Sequence, residues 1–175
     1  MIEREMEMQQ TVLSERMFEI LTDHVAEIER EKEFIIKGFY ADNAATGMDS
    51  EIFFRDYTAR IEEFLKNVRV KKDGPDSCPL SIIGSTVEVK DAEDMEVFSY
   101  QIVLPFTNKL PPDMSQASCF SPMGRALLLR QVGSKVAVMT PGGQVEYEIM
   151  SITLDETAAG GETLQLFHSN TSMAF

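Results

Sequence analysis

The residues best suited to metal binding or nucleophilic catalysis are scattered along this chain of 175 residues. Cys78 and Cys119 are lone thiols, and no Cys-x-x-Cys or Cys/His spacing accompanies them, so we expect no zinc site. His24 and His168 have no partner cluster nearby in the sequence, and the spacings predict no Ser-His-Asp or Cys-His arrangement. Both histidines are therefore expected to have packing or surface roles.

Phosphate and nucleic-acid binding are also disfavoured. No glycine-rich phosphate loop follows a predicted strand, because Gly142-Gly143 and Gly160-Gly161 fit a hairpin and a loop. The net charge of −13 opposes binding to a phosphate backbone, which needs clustered Lys and Arg. We expect no sequence-specific nucleic-acid binding of its own. The acidic chain instead suits a basic surface or channel of a protein partner, although acidic surfaces also serve solubility.

The densest set of local structural signals lies between residues 117 and 150. Ser121 is placed to cap a short helix by accepting from its free N–H groups, and Pro122 fits the first helical position. Gly133 is predicted to end that helix in a left-handed conformation. Pro141-Gly142 predicts a type II turn that joins a strand at 135–139 to a return strand. Alternating apolar residues mark the return strand: Val145, Tyr147 and Ile149.

The first part of the chain carries two helical hydrophobic seams. Residues 11–37 are predicted to form one long helix, and a second helix is predicted to start near Asp49 or Ser50, after a loop at 38–50. Most of the seam positions are apolar, with Lys32 as a polar interruption, and they recur at spacings of three and four, as in a coiled coil. They are Phe18, Leu21, Val25, Ile28, Lys32, Ile35 and Phe39, then Phe54, Tyr57, Ile61, Phe64 and Val68. Two seams joined by a loop predict an antiparallel helical hairpin, the arm.

The rest of the chain has the pattern of a small α+β domain. Residues 71–77 have the composition of a linker, and strands are predicted at 85–89 and 97–104. Loops are predicted at 107–115 and 154–161, with a strand at 164–167 and a poorly ordered end at 169–175. The predicted class is therefore α+β, with a helical hairpin over residues 1–73 and an antiparallel sheet with a short helix over residues 74–175.

The sequence shows no targeting or membrane signal. Residues 1–8 lack the apolar segment of a signal peptide, and no apolar run approaches the length of a membrane span. Together with the two lone thiols, this pattern predicts a cytoplasmic protein.

Several segments resemble the Gre family of bacterial transcription elongation factors (GreA/GreB). They are Ser121-Pro122-Met123-Gly124-Arg125-Ala126-Leu127-Leu128, Val132-Gly133, Thr140-Pro141-Gly142-Gly143 and the strand Ile83-Gly84-Ser85-Thr86-Val87-Glu88-Val89. The resemblance covers about residues 14–154. It implies an N-terminal antiparallel coiled coil followed by an FKBP-like α+β domain.

The resemblance implies an accessory factor rather than an enzyme. In the family, the C-terminal domain docks on the rim of the RNA polymerase secondary channel, and the arm enters that channel. Phe120, Ser121, Pro122 and Met123 correspond to the docking motif, with Phe120 in place of a residue that is commonly polar.

The tip of the arm departs from the family. Family tips carry two acidic residues that help hold a second Mg²⁺ at the polymerase active centre, where the polymerase hydrolyses its own backtracked transcript. Asp42 corresponds to the second acid, whereas Phe39 stands where the first is expected. Asp49 and Glu51 are weaker candidates, since they also fit a helix start as cap and dipole partner. The resemblance thus implies doubtful cleavage stimulation, with Mg²⁺ held only jointly with the polymerase and no cofactor of the chain's own.

Two other functions are compatible with the sequence. A peptidyl-prolyl isomerase rests on the FKBP-like architecture alone, which is a weak warrant, and the chain has no Trp to line an aromatic cleft. A coiled-coil interaction protein with a partner other than polymerase is compatible with the apolar seam ends at Phe39, Tyr40 and Phe53.

Overall fold

The computed structural model of the chain describes residues 10–40, 44–104 and 115–154, with the backbone alone at 38–40 and 44–49. These residues fall into two compact units, and the chain passes from the first to the second between Ser77 and Cys78. The sequence places the corresponding boundary at residues 73 and 74.

The first unit is built on two long helices. A short strand β1 (Val12–Ser14) leads into α1 (Glu15–Tyr40), and α2 (Ala44–Lys66) leads into a second short strand, β2 (Arg69–Lys71). The predicted seams meet along the helix pair, as their buried members show: Leu21, Val25, Ile28 and Ile35 from α1, and Phe54, Tyr57 and Ile61 from α2. Burial of each large apolar side chain contributes about 1.5–3 kcal/mol, so the seam stabilises the hairpin.

The beginning of α1 differs from the prediction, because residues 12–14 form a strand instead of helix. β1 pairs in parallel with β2, and the Ser14 amide donates to the Pro75 carbonyl at 3.1 Å. The helix then starts under a cap, since Ser14 Oγ accepts from the Met17 amide at 3.0 Å. A Cβ at Gly74, three residues after β2, would lie 2.5 Å from the Leu13 carbonyl oxygen, so this position requires glycine.

The predicted loop at 38–50 is mostly helical, and that prediction was wrong. Helix α1 continues to Tyr40, and α2 already begins at Ala44. Helix propensity is a weak guide, so small residues do not by themselves exclude a helix. Ser50 is 3% exposed. Asp49 is the sixth residue of α2, so it does not cap the helix.

The second unit contains one mixed sheet and one short helix. Its elements are β3 (Thr86–Asp91), β4 (Val97–Val103), β5 (Ser115–Ser118), α3 (Pro122–Leu127), β6 (Lys135–Thr140) and β7 (Gly143–Thr153). The strand order is β5-β4-β3-β7-β6. The α+β class is confirmed, and one detail is corrected: β5 pairs with β4 in parallel, whereas the other neighbours are antiparallel.

The core of this unit lies on one face of the sheet. Cross-strand neighbours share a face, and the register pairs Val87 with Tyr100 and Val89 with both Phe98 and Ile149. The pairing of β3 with β7 shifts between Glu88 and Val89. The buried members of this core include Val87, Val89, Ile102, Leu127, Val136, Val138 and Ile149.

Two turn predictions in this unit were wrong in detail. Gly133 has a positive φ of 87°, but α3 ends at Leu127, and Gly133 instead donates its amide to the Ile149 carbonyl in the turn before β6. In the β6–β7 hairpin, the positive φ falls on Gly143 and not on Gly142. A type II turn requires it at Gly142, whereas glycine at the fourth position is favoured in type I turns.

The predictions for residues 107–114, for the loop at 155–161, for the strand at 164–167 and for the end at 169–175 lie outside the described residues.

Candidate functional site

The turn that opens α3 is built around the Ser121 side chain. Ser121 has an extended backbone, with φ −69° and ψ 157°, and its Oγ accepts from the Gly124 amide at 3.0 Å. The same hydroxyl donates to the Ser118 carbonyl at 2.7 Å. Pro122 follows at the first helical position, where its fixed φ suits the helix and its missing N–H leaves nothing unsatisfied. The predicted helix cap is confirmed.

Gly124 brings α3 unusually close to the end of β5. A Cβ at this position would lie 1.8 Å from the Ser118 carbonyl oxygen and 2.7 Å from its carbon. Those atoms are backbone and have no room to retreat, so any side chain would displace the helix. Gly124 and the Ser121 cap together fix the first turn of α3 against β5.

The other end of α3 is held by a residue that the sequence prediction missed. Ser81 is fully buried; its Oγ donates to the Leu127 carbonyl and accepts from the Arg130 amide at 2.9 Å. Its own backbone adds bonds to Leu129 and Arg130. Leu129 has a φ of 59°, so the chain turns sharply here without glycine. The one signal in the sequence is a serine within the apolar run 80–83.

The four predicted docking residues combine solvent exposure with a fixed backbone. Pro122 is exposed, and Phe120, Ser121 and Met123 are half-buried. The Phe120 amide donates to Ser118 Oγ at 3.2 Å. Such a surface offers apolar contact area that requires little ordering on binding, which favours association with a partner.

The predicted tip acids belong to the first unit. Asp42 lies outside the described residues, and Asp49 is described by its helical backbone alone. Glu51 is exposed on α2. Within residues 10–40, 44–104 and 115–154, no three His, Cys, Asp or Glu side chains lie close enough together to hold a metal ion.

His24 has the packing role predicted for it. Its Nε2 lies 2.7 Å from the Tyr57 hydroxyl, and the two rings meet edge-on at 5.8 Å between centroids. Burial lowers the pKa of His24 to about 4, because the apolar seam disfavours the charged form. The ring keeps some solvent contact, and its neutral form joins the two helices near neutral pH.

A second polar contact joins the helices beside the seam. Glu29 accepts from Thr58 Oγ1 at 2.8 Å and from Lys32 Nζ at 2.8 Å. These hydrogen bonds, with that from Lys32 first, lower the pKa of Glu29. Lys32, the polar interruption of the seam, therefore donates to a carboxylate of its own helix. The contact of Thr58 with Glu29 was not predicted from the sequence.

The two cysteines are structural. Both are buried, and burial raises the pKa of Cys78 to about 11 and that of Cys119 to about 12. Thiols with such pKa values are protonated and unreactive at neutral pH.

None of the helices in the described part of the chain has the length and apolar character of a membrane span.

Comparison with known proteins identifies the second unit. Residues 82–154 match the family model of the transcription elongation factor GreA/GreB C-terminal domain. The matched region contains the Ser121 cap, Gly124 and the whole sheet.

Similar curated proteins include transcription elongation factor GreA of Bacillus cereus strain AH187, which is 30% identical over 104 residues, 59% of this chain and 65% of that protein. GreA of Anaeromyxobacter sp. strain K is 34% identical over 100 residues, 56% of this chain and 58% of that protein. The chain thus spans less than two thirds of the length of these relatives.

Similar solved structures include GreA factor homolog 1 of Thermus thermophilus, with 25% identity and a TM-score of 0.38 over 83% of this chain and 99% of that one. The sequence matches fall on the capped helix and the sheet described above. Residues 82–154 therefore form a domain of the kind found at the C-terminus of the GreA/GreB transcription elongation factors.

Proposed function

We propose that this protein is a Gre-type elongation factor that binds RNA polymerase at the rim of its secondary channel and modulates transcription elongation. The observation that carries the proposal is the fixed turn at Ser121 and Pro122, within the part of the chain that matches the GreA/GreB C-terminal domain.

The geometry of the turn supports docking. The Ser121 cap and the Gly124 contact fix the backbone, while Pro122 remains exposed. A surface ordered before binding loses little conformational entropy when a partner covers it. The net charge of −13 further suits a basic channel, because long-range attraction raises the rate of encounter.

The factor is proposed to act without an active site of its own. Transcript cleavage would be the chemistry of the polymerase, whose active centre supplies the Mg²⁺. This chain's main contribution to such a metal would be the carboxylate of Asp42, with Asp49 and Glu51 as weaker candidates, because Phe39 stands where the first family acid is expected. A single carboxylate binds a hard cation more weakly than a pair. Stimulation of cleavage is therefore proposed to be weak or absent.

Binding to a bacterial RNA polymerase core enzyme tests the docking proposal. Pro122→Ala in the full chain removes exposed apolar contact area while alanine remains acceptable at the first helical position. The affinity is expected to fall about fivefold to tenfold, or ~1–1.4 kcal/mol. Pro141→Ala is the matched control, because Pro141 is also exposed but lies at the β6–β7 turn; the affinity of this variant should equal that of the wild type.

A transcript-cleavage assay on backtracked polymerase complexes tests the proposal that stimulation of cleavage is weak or absent. The wild-type chain is expected to give little or no stimulation; strong stimulation that Asp42→Asn abolishes would contradict the proposal. Failure to bind polymerase at all would instead favour a coiled-coil interaction protein with another partner. No observation favours a peptidyl-prolyl isomerase, and the relatives that match are elongation factors by name.

A further inference from the structure

The tip of the β3–β4 hairpin, residues 91–98, exposes large apolar side chains. Met95 is 58% exposed, Val97 54% and Phe98 36%. Val97 pairs with Lys90 and Phe98 pairs with Val89, so Val97 and Phe98 project from opposite faces of the sheet. The hairpin tip is therefore apolar on both of its faces.

This exposure belongs to an ordered turn. Asp91 Oδ1 accepts from the Glu93 amide at 2.8 Å, and Asp94 Oδ1 accepts from the Glu96 amide at 2.9 Å. The Asp91 amide donates to the Glu96 carbonyl at 2.8 Å, and the Met95 amide donates to the Asp91 carbonyl at 3.0 Å. The apolar side chains are thus carried on a fixed backbone.

Met95 has a φ of 65°, a left-handed conformation that costs a residue with a side chain roughly 1–2 kcal/mol. Glycine would adopt it without that cost. The turn therefore carries an exposed, apolar side chain at a position where the backbone conformation alone would favour glycine. Strained positions of this kind are common where a side chain serves binding.

The charge of the hairpin tip indicates the chemistry of a partner. Between residues 91 and 98, the acidic side chains are Asp91, Glu93, Asp94 and Glu96, and the same stretch contains no Lys or Arg. A complementary surface has apolar walls that cover Met95, Val97 and Phe98, with Lys or Arg side chains facing the carboxylates.

The hairpin tip lies at the opposite end of the sheet from the Ser121 turn. Cys119, two residues before Ser121, donates its amide to the Val103 carbonyl at 2.8 Å, at the end of β4. The hairpin tip includes the first residues of the same strand, which starts at Val97. The length of β4 separates them, roughly 20 Å at 3.3 Å per residue. The two surfaces are therefore separate contact points.

We propose that the hairpin tip is a second docking element, which inserts into a groove of RNA polymerase with apolar walls and basic side chains. This inference rests on the proposed function for the identity of the partner. The Ser121 turn and the hairpin tip would then hold the C-terminal domain at two points and fix its orientation on the polymerase.

Affinity of the full chain for a bacterial RNA polymerase core enzyme tests the inference. Met95→Asn with Val97→Thr replaces the two most exposed apolar side chains of the tip and leaves Phe98 in place. Asn tolerates the left-handed conformation, and Thr suits a strand. The matched control is Val132→Thr with Met139→Gln, because those side chains are 56% and 66% exposed elsewhere in the unit. We expect about tenfold weaker binding for the hairpin variant and a change within about twofold for the control.

A second pair of variants tests the charges. Glu93→Gln with Glu96→Gln leaves the capping side chains of Asp91 and Asp94 in place. It should weaken binding severalfold and reduce its dependence on salt. Glu88→Gln, which alters an exposed acid on β3 outside the hairpin tip, should change affinity by less than about twofold.

The possible outcomes separate the two proposals. If the wild type binds and both hairpin variants bind as tightly, the inference is wrong and the proposed function stands. If the wild type does not bind, the proposed function fails and the inference fails with it. Equal weakening by the hairpin and control variants also overturns the inference, since the effect would then not belong to the hairpin tip.

Discussion

His24 Nε2 and the Tyr57 hydroxyl lie 2.7 Å apart across the two helices of the arm. When Nε2 carries no proton, the hydroxyl donates to it, and the hydrogen bond joins α1 to α2 within the apolar seam. Burial holds the pKa of His24 near 4, below its ordinary value of 6.5. The arm therefore depends on a neutral imidazole.

The stability of the arm should fall as pH decreases from about 6.5 to about 4. In that range the unfolded chain binds a proton at His24, whereas the folded chain does not, so acid favours unfolding. The full shift corresponds to at most about 3 kcal/mol, and solvent contact of the ring reduces it. The free energy of unfolding, followed by helical circular dichroism in urea at several pH values, measures the loss.

His24→Gln is the matched variant for this test, because glutamine keeps a hydrogen-bonding group but does not titrate. Carboxylates such as Glu29, whose pKa is lowered in the fold, also lose stabilising interactions in acid and affect both proteins equally. The wild type should lose more stability than the variant between pH 6.5 and 4. Identical pH profiles would show that His24 is not the responsible group.

Phe39→Asp should increase stimulation of transcript cleavage. The substitution restores a carboxylate where the family resemblance expects the first tip acid, and two carboxylates hold Mg²⁺ better than one. We expect a gain of at least about tenfold in the rate of cleavage of a backtracked transcript, or ~1.4 kcal/mol of barrier. Phe39→Asn is the control for polarity without charge. The gain should disappear when Asp42→Asn is added, and a gain independent of Asp42 would argue against a joint metal site.

Gly124→Ala should destabilise the C-terminal unit by about 3 kcal/mol, the upper end for overpacking. The new methyl group would overlap the Ser118 carbonyl oxygen at 1.8 Å, so α3 must move. Gly142→Ala is the matched control, because the nearest atom to its Cβ is Thr140 Oγ1 at 3.8 Å; its effect should stay within about 0.5 kcal/mol. Urea unfolding measures both, and equal stability of the two variants would contradict the described approach of α3 to β5.

Ser81→Ala should destabilise the same unit by about 1–3 kcal/mol, since the buried Leu127 carbonyl and Arg130 amide each lose a hydrogen bond to the serine hydroxyl. The exposed Ser99 on β4 provides the comparison, because Ser99→Ala should be nearly neutral. Thermal unfolding distinguishes them. A neutral Ser81→Ala would mean that the end of α3 is held by the backbone bonds alone.

Features that depend on neighbours within a turn or two of sequence were determined by the sequence itself. The arm's seam follows from helical periodicity, which places Leu21 and Ile28 on one face of α1 and Ile61 on the facing side of α2. The Ser121 cap follows from a hydroxyl three residues before the amide it bonds. Both predictions are confirmed because the interactions that create them are local.

Other features were decided by contacts between distant parts of the chain. The parallel pairing of Val12 with Arg69 turned a predicted helix start into a strand. Helix α2 begins at Ala44, within residues that favour a loop when taken alone. Ser81 holds Arg130 from 49 residues away. Composition and spacing do not predict such partners, because these contacts stabilise the fold only after the chain has brought distant residues together.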